Sequence, residues 1–164
     1  MNFYALTALI NAIAATILSL LVYFKNRKGF TNKTFGLFSF FIAIWSYAYF
    51  FWQISKHADT ALFWSRALMV GAIFIPISYL HFVLVLLNKL EEKKKILIIG
   101  YVIFIFFFLL NFTSLFVRDV RPELNFIFWP NAGVLFAPFL AIWFFYALYN
   151  IYLLVFAQSC SSPL

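Results

Sequence analysis

The chain has 164 residues, of which 66% are hydrophobic, 24% are aromatic and only 10% are charged. A soluble domain carries about a quarter charged residues and roughly half apolar ones, so this composition excludes a water-soluble globular protein. The formal charge of +7 comes from basic residues between apolar stretches. No basic run is interleaved with stacking aromatic residues, so we expect no nucleic-acid partner. The expected partner is the lipid bilayer.

Five long apolar stretches predict membrane-spanning helices. Each has roughly 20 residues, the length that a helix needs to cross a hydrocarbon core of ~30 Å. Backbone groups in lipid must be satisfied within their own segment, so continuous apolar blocks predict helices. We therefore expect a single all-α transmembrane domain over residues 1–164, a polytopic helix bundle with spans at about residues 3–24, 34–54, 67–87, 96–116 and 134–156.

Basic residues in the gaps predict the orientation of the bundle. The first and third gaps are richer in Lys and Arg than the second and fourth, which by the positive-inside rule makes them cytoplasmic. The N-terminus is then outside and the C-terminus is in the cytoplasm, as expected for a multi-pass protein of the plasma (inner) membrane. In chain order the gaps hold Lys25, Arg27, Lys28 and Lys33; Lys56 and Arg66; Lys89, Lys93, Lys94 and Lys95; and Arg118 and Arg121.

The third stretch carries the residues whose chemistry is best suited to a functional site. His81 is the one ionisable residue well inside a predicted span, and Gly71 and Ser78 share its arc of the helical wheel, together with Asn88. We expect this stripe either to pack against a neighbouring helix or to form a proton-sensitive or ligand-contacting site. Pro76 removes a hydrogen bond to the carbonyl of Ala72 and predicts a kink, either static or a hinge.

The last gap, Val117–Gly133, is the longest, and a binding element is expected in a loop of this length. Its middle, Leu124–Trp129, is apolar and aromatic, which is typical of a short hairpin strand or of a segment in the membrane interface. Trp129, next to Pro130, is interpreted as an interface anchor, with an aromatic cage as the alternative.

Ionisable groups suited to catalysis are scarce. The acids all lie in gaps, and the sequence contains no Gly-rich phosphate loop, no His-Glu-x-x-His motif and no Ser/His/Asp arrangement with a membrane-buried acid. We therefore predict no catalytic residues, no metal site and no cofactor, and the chain by itself is not expected to be an enzyme. The acids are Asp59, Glu91, Glu92, Asp119 and Glu123.

Several motifs resemble those of a known membrane region. A basic gap is followed by Phe35, Leu37 and Trp45 in the second stretch, then by Trp64-Ser65-Arg66, Gly71, Pro76 and His81-Phe82 in the third. Later, Pro130, Gly133 and Phe136 form a Pro-x-x-Gly-x-x-Phe pattern before the fifth stretch. This arrangement resembles the N-terminal seven-span region that precedes some bacterial sensor histidine kinases.

The resemblance implies a sensory input module of a two-component signalling protein. It implies a homodimer, and downstream cytoplasmic kinase or cyclase domains as partners. Only five of seven spans are predicted here, so the chain is interpreted as a truncated sensor module without output domains. The alternative hypothesis is a small multi-span transporter or channel component, for which Pro76 and His81 are the two features of interest.

Overall fold

A computed structural model describes residues 3–123 and 126–160, with side chains described up to Phe156 in the last helix. The described residues form five helices and one two-stranded antiparallel hairpin between the fourth and fifth helices. Their bounds are α1 Phe3–Lys25, α2 Phe30–Gln53, α3 Ala58–Leu86, α4 Leu90–Leu110, β1 Val117–Glu123, β2 Phe126–Ala132 and α5 Phe136–Cys160.

Helix α3 is the centre of the bundle. It packs against α2, α4, α5 and both strands of the hairpin, whereas α1 packs mainly on α2. Its apolar side chains accordingly face neighbours on several sides, and the fully buried ones form the core with rings from α4 and α5. The buried apolar side chains of α3 within this core are Ile73, Ile77, Leu80, Val83 and Leu84.

Aromatic pairs connect α2 to α3 along most of their length. Phe35 contacts Phe82 at a ring-centroid distance of 5.3 Å, and the stacked pair of Phe41 and Phe74 lies at 4.9 Å. Near the other end, Phe51 stacks on the ring of Trp64 at 4.4 Å. The partners run in opposite directions along the chain, so α2 and α3 are antiparallel neighbours.

Small residues allow α1 to approach α2 closely. Ala5, Ala8, Ala12 and Ala15 are buried along one face of α1. Hydrogen bonds cross the same interface, from Asn11 Nδ2 to Ser46 Oγ at 2.7 Å and from Ser19 Oγ to the carbonyl of Gly36 at 2.8 Å. Lipid is as apolar as the side chains themselves, so close packing and such hydrogen bonds hold helices together in a membrane.

The third and fourth predicted spans differ most from the helices. Helix α3 begins at Ala58 rather than near residue 67, because the polar segment before the apolar block is also helical. The first backbone hydrogen bond of this segment runs from Ala61 N–H to His57 O. Helix α4 ends at Leu110 rather than near residue 116. Thr113 Oγ1 donates to the carbonyl of Leu110 at 2.7 Å, which turns the chain toward the hairpin.

Four helices of the described chain are long and apolar enough to cross a membrane: α1, α2, α3 and residues Phe136–Phe156 of α5. Helix α4 differs because Lys93, Lys94 and Lys95 lie within its first turns. The apolar part that follows, residues 96–110, extends about 22 Å at 1.5 Å per residue.

The hairpin makes the all-α prediction incomplete. Val117 pairs with Ala132 and Arg121 pairs with Trp129, and the register shifts twice along the ladder. Of the segment Leu124–Trp129 that the sequence marked as a hairpin strand or an interface segment, residues 126–129 belong to β2, while Leu124 and Asn125 lie outside the described residues. The chain thus turns back on itself beside the ends of α2 and α3.

Gly71 should be the residue at which the α2–α3 interface tolerates least added volume. A Cβ at Gly71 would lie 2.6 Å from the backbone nitrogen of Trp45 and 2.7 Å from the carbonyl oxygen of Phe41. We expect Gly71→Ala to lower the free energy of unfolding in detergent by about 1–3 kcal/mol, because two backbones must separate.

Gly36→Ala is the matched control for that substitution. A Cβ at Gly36 would meet its nearest neighbours, Ser19 O and Tyr23 Cβ, at an ordinary 3.5 Å. Ala in a helix interior is favoured over Gly by roughly 0.5–1 kcal/mol, so this variant should be neutral or slightly stabilised. Equal unfolding free energies for the two variants would contradict the close approach at Gly71.

Candidate functional site

The hairpin covers the ends of α2 and α3. The indole N–H of Trp52 donates to the carbonyl of Phe128 at 2.7 Å, and its ring stacks on Phe126 at 5.7 Å. From α3, Arg66 Nη2 donates to the carbonyl of Val117 at 3.1 Å. Trp52 is only 6% exposed, so its role is to hold the hairpin, and the hairpin is fixed to both helices through its main chain.

A cavity of about 540 Å³ lies beneath the hairpin, between α2, α3 and the first residue of α5. Five of its twelve lining residues are aromatic, and both Trp129 and Pro130, which the sequence singled out, belong to the walls. Trp129 contacts Trp52 at 5.9 Å and Phe126 at 5.2 Å. The lining residues are Trp45, Tyr49, Trp52, Leu68, Met69, Val117, Glu123, Trp129, Pro130, Asn131, Ala132 and Phe136.

A second cavity of about 530 Å³ lies next to the first, in the cleft between α2, α3 and α5. The two cavities share Trp45, Met69 and Phe136 as lining residues. The wall of the second cavity also includes Ala72 of α3 and Trp143 of α5. A molecule beneath the hairpin would therefore touch side chains that also reach the α3–α5 contact.

That α3–α5 contact is centred on Pro76. Because proline has no N–H, the carbonyl of Ala72 has no main-chain donor from position 76. The structure supplies one from α5: Trp143 Nε1 donates to Ala72 O at 2.9 Å. Further along α5, Asn150 Nδ2 donates to the carbonyl of Pro76 itself at 3.1 Å. Trp143 and Asn150 are two helical turns apart, so one face of α5 brackets the proline.

The remaining residues of the predicted stripe point to different neighbours. Ser78 is fully buried, and its hydroxyl donates to its own helix at Phe74 O, 2.7 Å away, as well as to Ile75 O. Gly71 lies against the backbone of α2. Neither residue therefore faces a cavity together with His81.

His81 lies beside α4 and the beginning of α2. Its Nδ1 is 3.0 Å from the hydroxyl of Tyr101, and its ring contacts Phe30 at 5.8 Å. Asn88, at the end of the same stripe, has a positive φ of 54° and terminates α3 with the bond from Lys89 N–H to Leu84 O at 2.9 Å. The structure places His81 in a helix-packing contact, and a sensing role for it stays a prediction.

The charged side chains of the hairpin are partly neutralised among themselves. Arg121 Nη2 lies 2.9 Å from Asp119 Oδ2. The Arg121 guanidinium holds the pKa of Asp119 below its usual value, so this carboxylate stays ionised through mildly acidic conditions. Glu123 forms no ion pair within the part of the chain that the structure describes.

Sequence reasoning gave no site role to the residues that connect these features, namely Trp45, Met69 and Trp143, although Trp45 is among those that carry the family resemblance. A signal for Trp143 was available, since Trp143 and Asn150 are polar-tipped residues seven positions apart in an apolar stretch. Such spacing puts both on one helix face. Trp45 and Met69 carried no comparable signal, because only the packed helices show that they face a common space.

The Trp143–Ala72 hydrogen bond should depend energetically on Pro76. We expect Trp143→Phe to lower the free energy of unfolding by about 1 kcal/mol, because a carbonyl in apolar surroundings loses its donor. Pro76→Ala restores an N–H that can donate to Ala72 O. In that background Trp143→Phe should cost clearly less, as a double-mutant cycle in detergent would measure.

Trp64→Phe provides the control for the loss of an indole. Trp64 stacks on Phe51 and makes no hydrogen bond with any described residue, so its replacement should cost the same with and without Pro76. If Trp143→Phe also costs the same unfolding free energy with and without Pro76, the energetic coupling between the Trp143 indole and Pro76 is refuted.

Comparison with known proteins places the chain in a family. A search of curated proteins and a search of solved structures each found no match. The family described as the N-terminal 7TM region of histidine kinase matches residues 7–164, which is nearly the whole chain. The recognition made from the basic gap, the third stretch and the Pro130-x-x-Gly133 pattern is therefore confirmed, and the chain belongs to the family of N-terminal 7TM regions of histidine kinases.

Proposed function

We propose that this chain is the membrane-embedded sensory input module of a histidine kinase-type signalling protein. The observation that carries the proposal is the family match over residues 7–164. That family is a sensor region and not the catalytic part of the kinase. The downstream partner in this proposal is a cytoplasmic kinase or cyclase domain, and the module works as a homodimer.

The proposed module is a single transmembrane domain of residues 1–164 with five spans. Residues 96–110 of α4 form the span that is shortest in apolar length, and the lysines before it would reach the headgroup layer by extending along the helix. The two lysine-rich connections, after α1 and after α3, lie at one end of the bundle, and the hairpin lies at the other. We assign the lysine-rich end to the cytoplasm and the hairpin to the outside.

Signal transfer in this proposal runs through the hydrogen bonds that Trp143 and Asn150 of α5 make with α3 beside Pro76. Occupancy of the cavity beneath the hairpin would press on Met69 and Phe136, which also line the cleft beside Ala72 and Trp143. A ligand shifts a two-state equilibrium only by its differential affinity for the two states. In this proposal the two states differ in how α5 packs on α3: one keeps the Trp143–Ala72 hydrogen bond and the other loses it. Helix α5 then transmits the difference toward the C-terminus.

The orientation can be measured with cysteine labelling in intact cells. With Cys160 replaced by Ser, single cysteines at exposed Ile127 of β2 and at exposed Lys94 of α4 should react on opposite sides of the membrane. A membrane-impermeant maleimide should label the Ile127→Cys variant in intact cells and the Lys94→Cys variant only after lysis. Labelling of both variants in intact cells would contradict the assignment.

The signalling role can be tested with a fusion of residues 1–160 to the cytoplasmic part of a histidine kinase, joined in helical register. Trp143→Phe should change autophosphorylation in membrane vesicles by about fivefold, because a coupling of ~1 kcal/mol corresponds to that ratio. Trp64→Phe is the matched control and should leave the kinase level unchanged.

Two outcomes would contradict the proposal. One is kinase activity that is identical in the parent and in every substitution around Pro76. The other is solute or ion flux in liposomes containing the purified chain, abolished by His81→Gln, which would favour the transporter or channel hypothesis instead.

A further inference from the structure

We infer that the cavity beneath the hairpin binds a small organic cation that has an ammonium group and an apolar body. The inference names the ligand class of the sensory site and in that sense rests on the proposed function. It is carried by three features of the cavity: its aromatic walls, its single charged lining residue and its volume.

The walls contain the ring types that attract cations. Trp45, Tyr49, Trp52 and Trp129 come from two elements and line one space. Trp45 stacks on Tyr49 at 5.6 Å, and Trp52 meets Trp129 edge-on at 5.9 Å. The negative faces of tryptophan and tyrosine rings attract ammonium groups, and aromatic cages for methylated ammonium ions use this attraction.

The charge at the mouth of the cavity has the matching sign. Glu123 is the lining residue with a formal charge, and it forms no ion pair with another described residue. Arg121 pairs with Asp119, whereas Arg66, which donates to the carbonyl of Val117, and Arg118 keep their positive charges but do not line the cavity. A carboxylate without a basic partner at an aromatic cavity favours a cation and disfavours an anion.

The size and the remaining polar groups fit a compact ligand. About 540 Å³ is within the 300–1,000 Å³ that small-molecule sites commonly occupy. The N–H of Trp52 is used by Phe128 O and its side chain is only 6% exposed, so Trp52 adds apolar wall and no free polar group. Apolar side chains of Leu68, Met69 and Phe136 form the deeper wall, which suits the uncharged part of the ligand.

The experiment uses the purified chain in an uncharged maltoside detergent and measures equilibrium binding of tritiated benzyltrimethylammonium. Empty micelles give the background. Competition with neopentylbenzene, in which carbon replaces the charged nitrogen, isolates the contribution of charge. We expect saturable binding, with neopentylbenzene competing at least about fivefold more weakly, as a cation–π contribution of this kind requires.

Three variants locate the binding. Ala132→Phe adds a ring at the rim of the cavity and should abolish saturable binding. Ile127→Phe is its control on the same strand, since Ile127 is 71% exposed and lines no part of the cavity. Glu123→Gln should weaken binding by up to about fivefold, the upper range for an exposed ion pair. Thermal unfolding of each variant checks that the helix bundle is still folded.

An ammonium group could come from a free solute or from a lipid headgroup, and competition separates the two sources. Displacement by short-chain phosphatidylcholine but not by tetraethylammonium would identify a headgroup, and the reverse would identify a solute. The inference is overturned by an absence of saturable binding, by equal competition from neopentylbenzene, or by equal binding to the Ala132→Phe and Ile127→Phe proteins. The assay contains no kinase, so its failure leaves the result of the fusion experiment standing.

Discussion

The carbonyl of Ala72 imposes the constraint on which the arrangement of α3 and α5 depends. In hydrocarbon an acceptor without a donor is costly, and Pro76 takes away the donor that a regular helix would supply. The indole of Trp143 replaces it. Asn150 donates to a main-chain carbonyl of α3 and Tyr146 to one of α4. These polar groups on an otherwise apolar helix fix the rotation of α5 about its axis and its position along that axis.

Hydrogen bonds from a side chain to a main-chain carbonyl of another helix or turn occur at several other contacts in the bundle. Ser19 of α1 donates to a carbonyl of α2, Asn32 of α2 donates to the carbonyl of Val22, and Asn111 donates to the carbonyl of Arg66 at 2.7 Å. In water such bonds would compete with solvent, but in an apolar medium they select one packing among several that bury similar area. Close approach at Gly71 then sets how near α2 and α3 can lie.

The sequence predicts the helices well because lipid forces every long apolar block to satisfy its own backbone. It predicts their ends less well. Asp59 and Thr60 look like loop residues, yet helix α3 includes them because a helix can continue beyond the hydrocarbon layer. Conversely, the apolar run through Phe116 is not all helical, because Asn111 and Thr113 bond in ways that end α4.

The candidate site was only partly accessible to sequence reasoning. A helical wheel places Gly71, Ser78 and His81 at similar angles on their own helix, but it does not show which neighbour lies at that angle or at that height. In the structure they meet α2, their own helix and α4 in turn. Trp129 was found because it stands in the longest gap, whereas Trp45 could be recognised only from the space that α2, α3 and the hairpin enclose together.

The attachment of the hairpin has a consequence for how such a region can diversify. Trp52 and Arg66 both donate hydrogen bonds to main-chain carbonyl oxygens of the hairpin, and every residue type has such an oxygen. These two hydrogen bonds therefore do not depend on which side chains the strands carry, whereas the contacts of Trp52 with Phe126 and Trp129 do. Substitutions in β1 and β2 that spare Phe126 and Trp129 can change the shape of the cavity while the two strands keep their position, so ligand recognition can evolve separately from the scaffold.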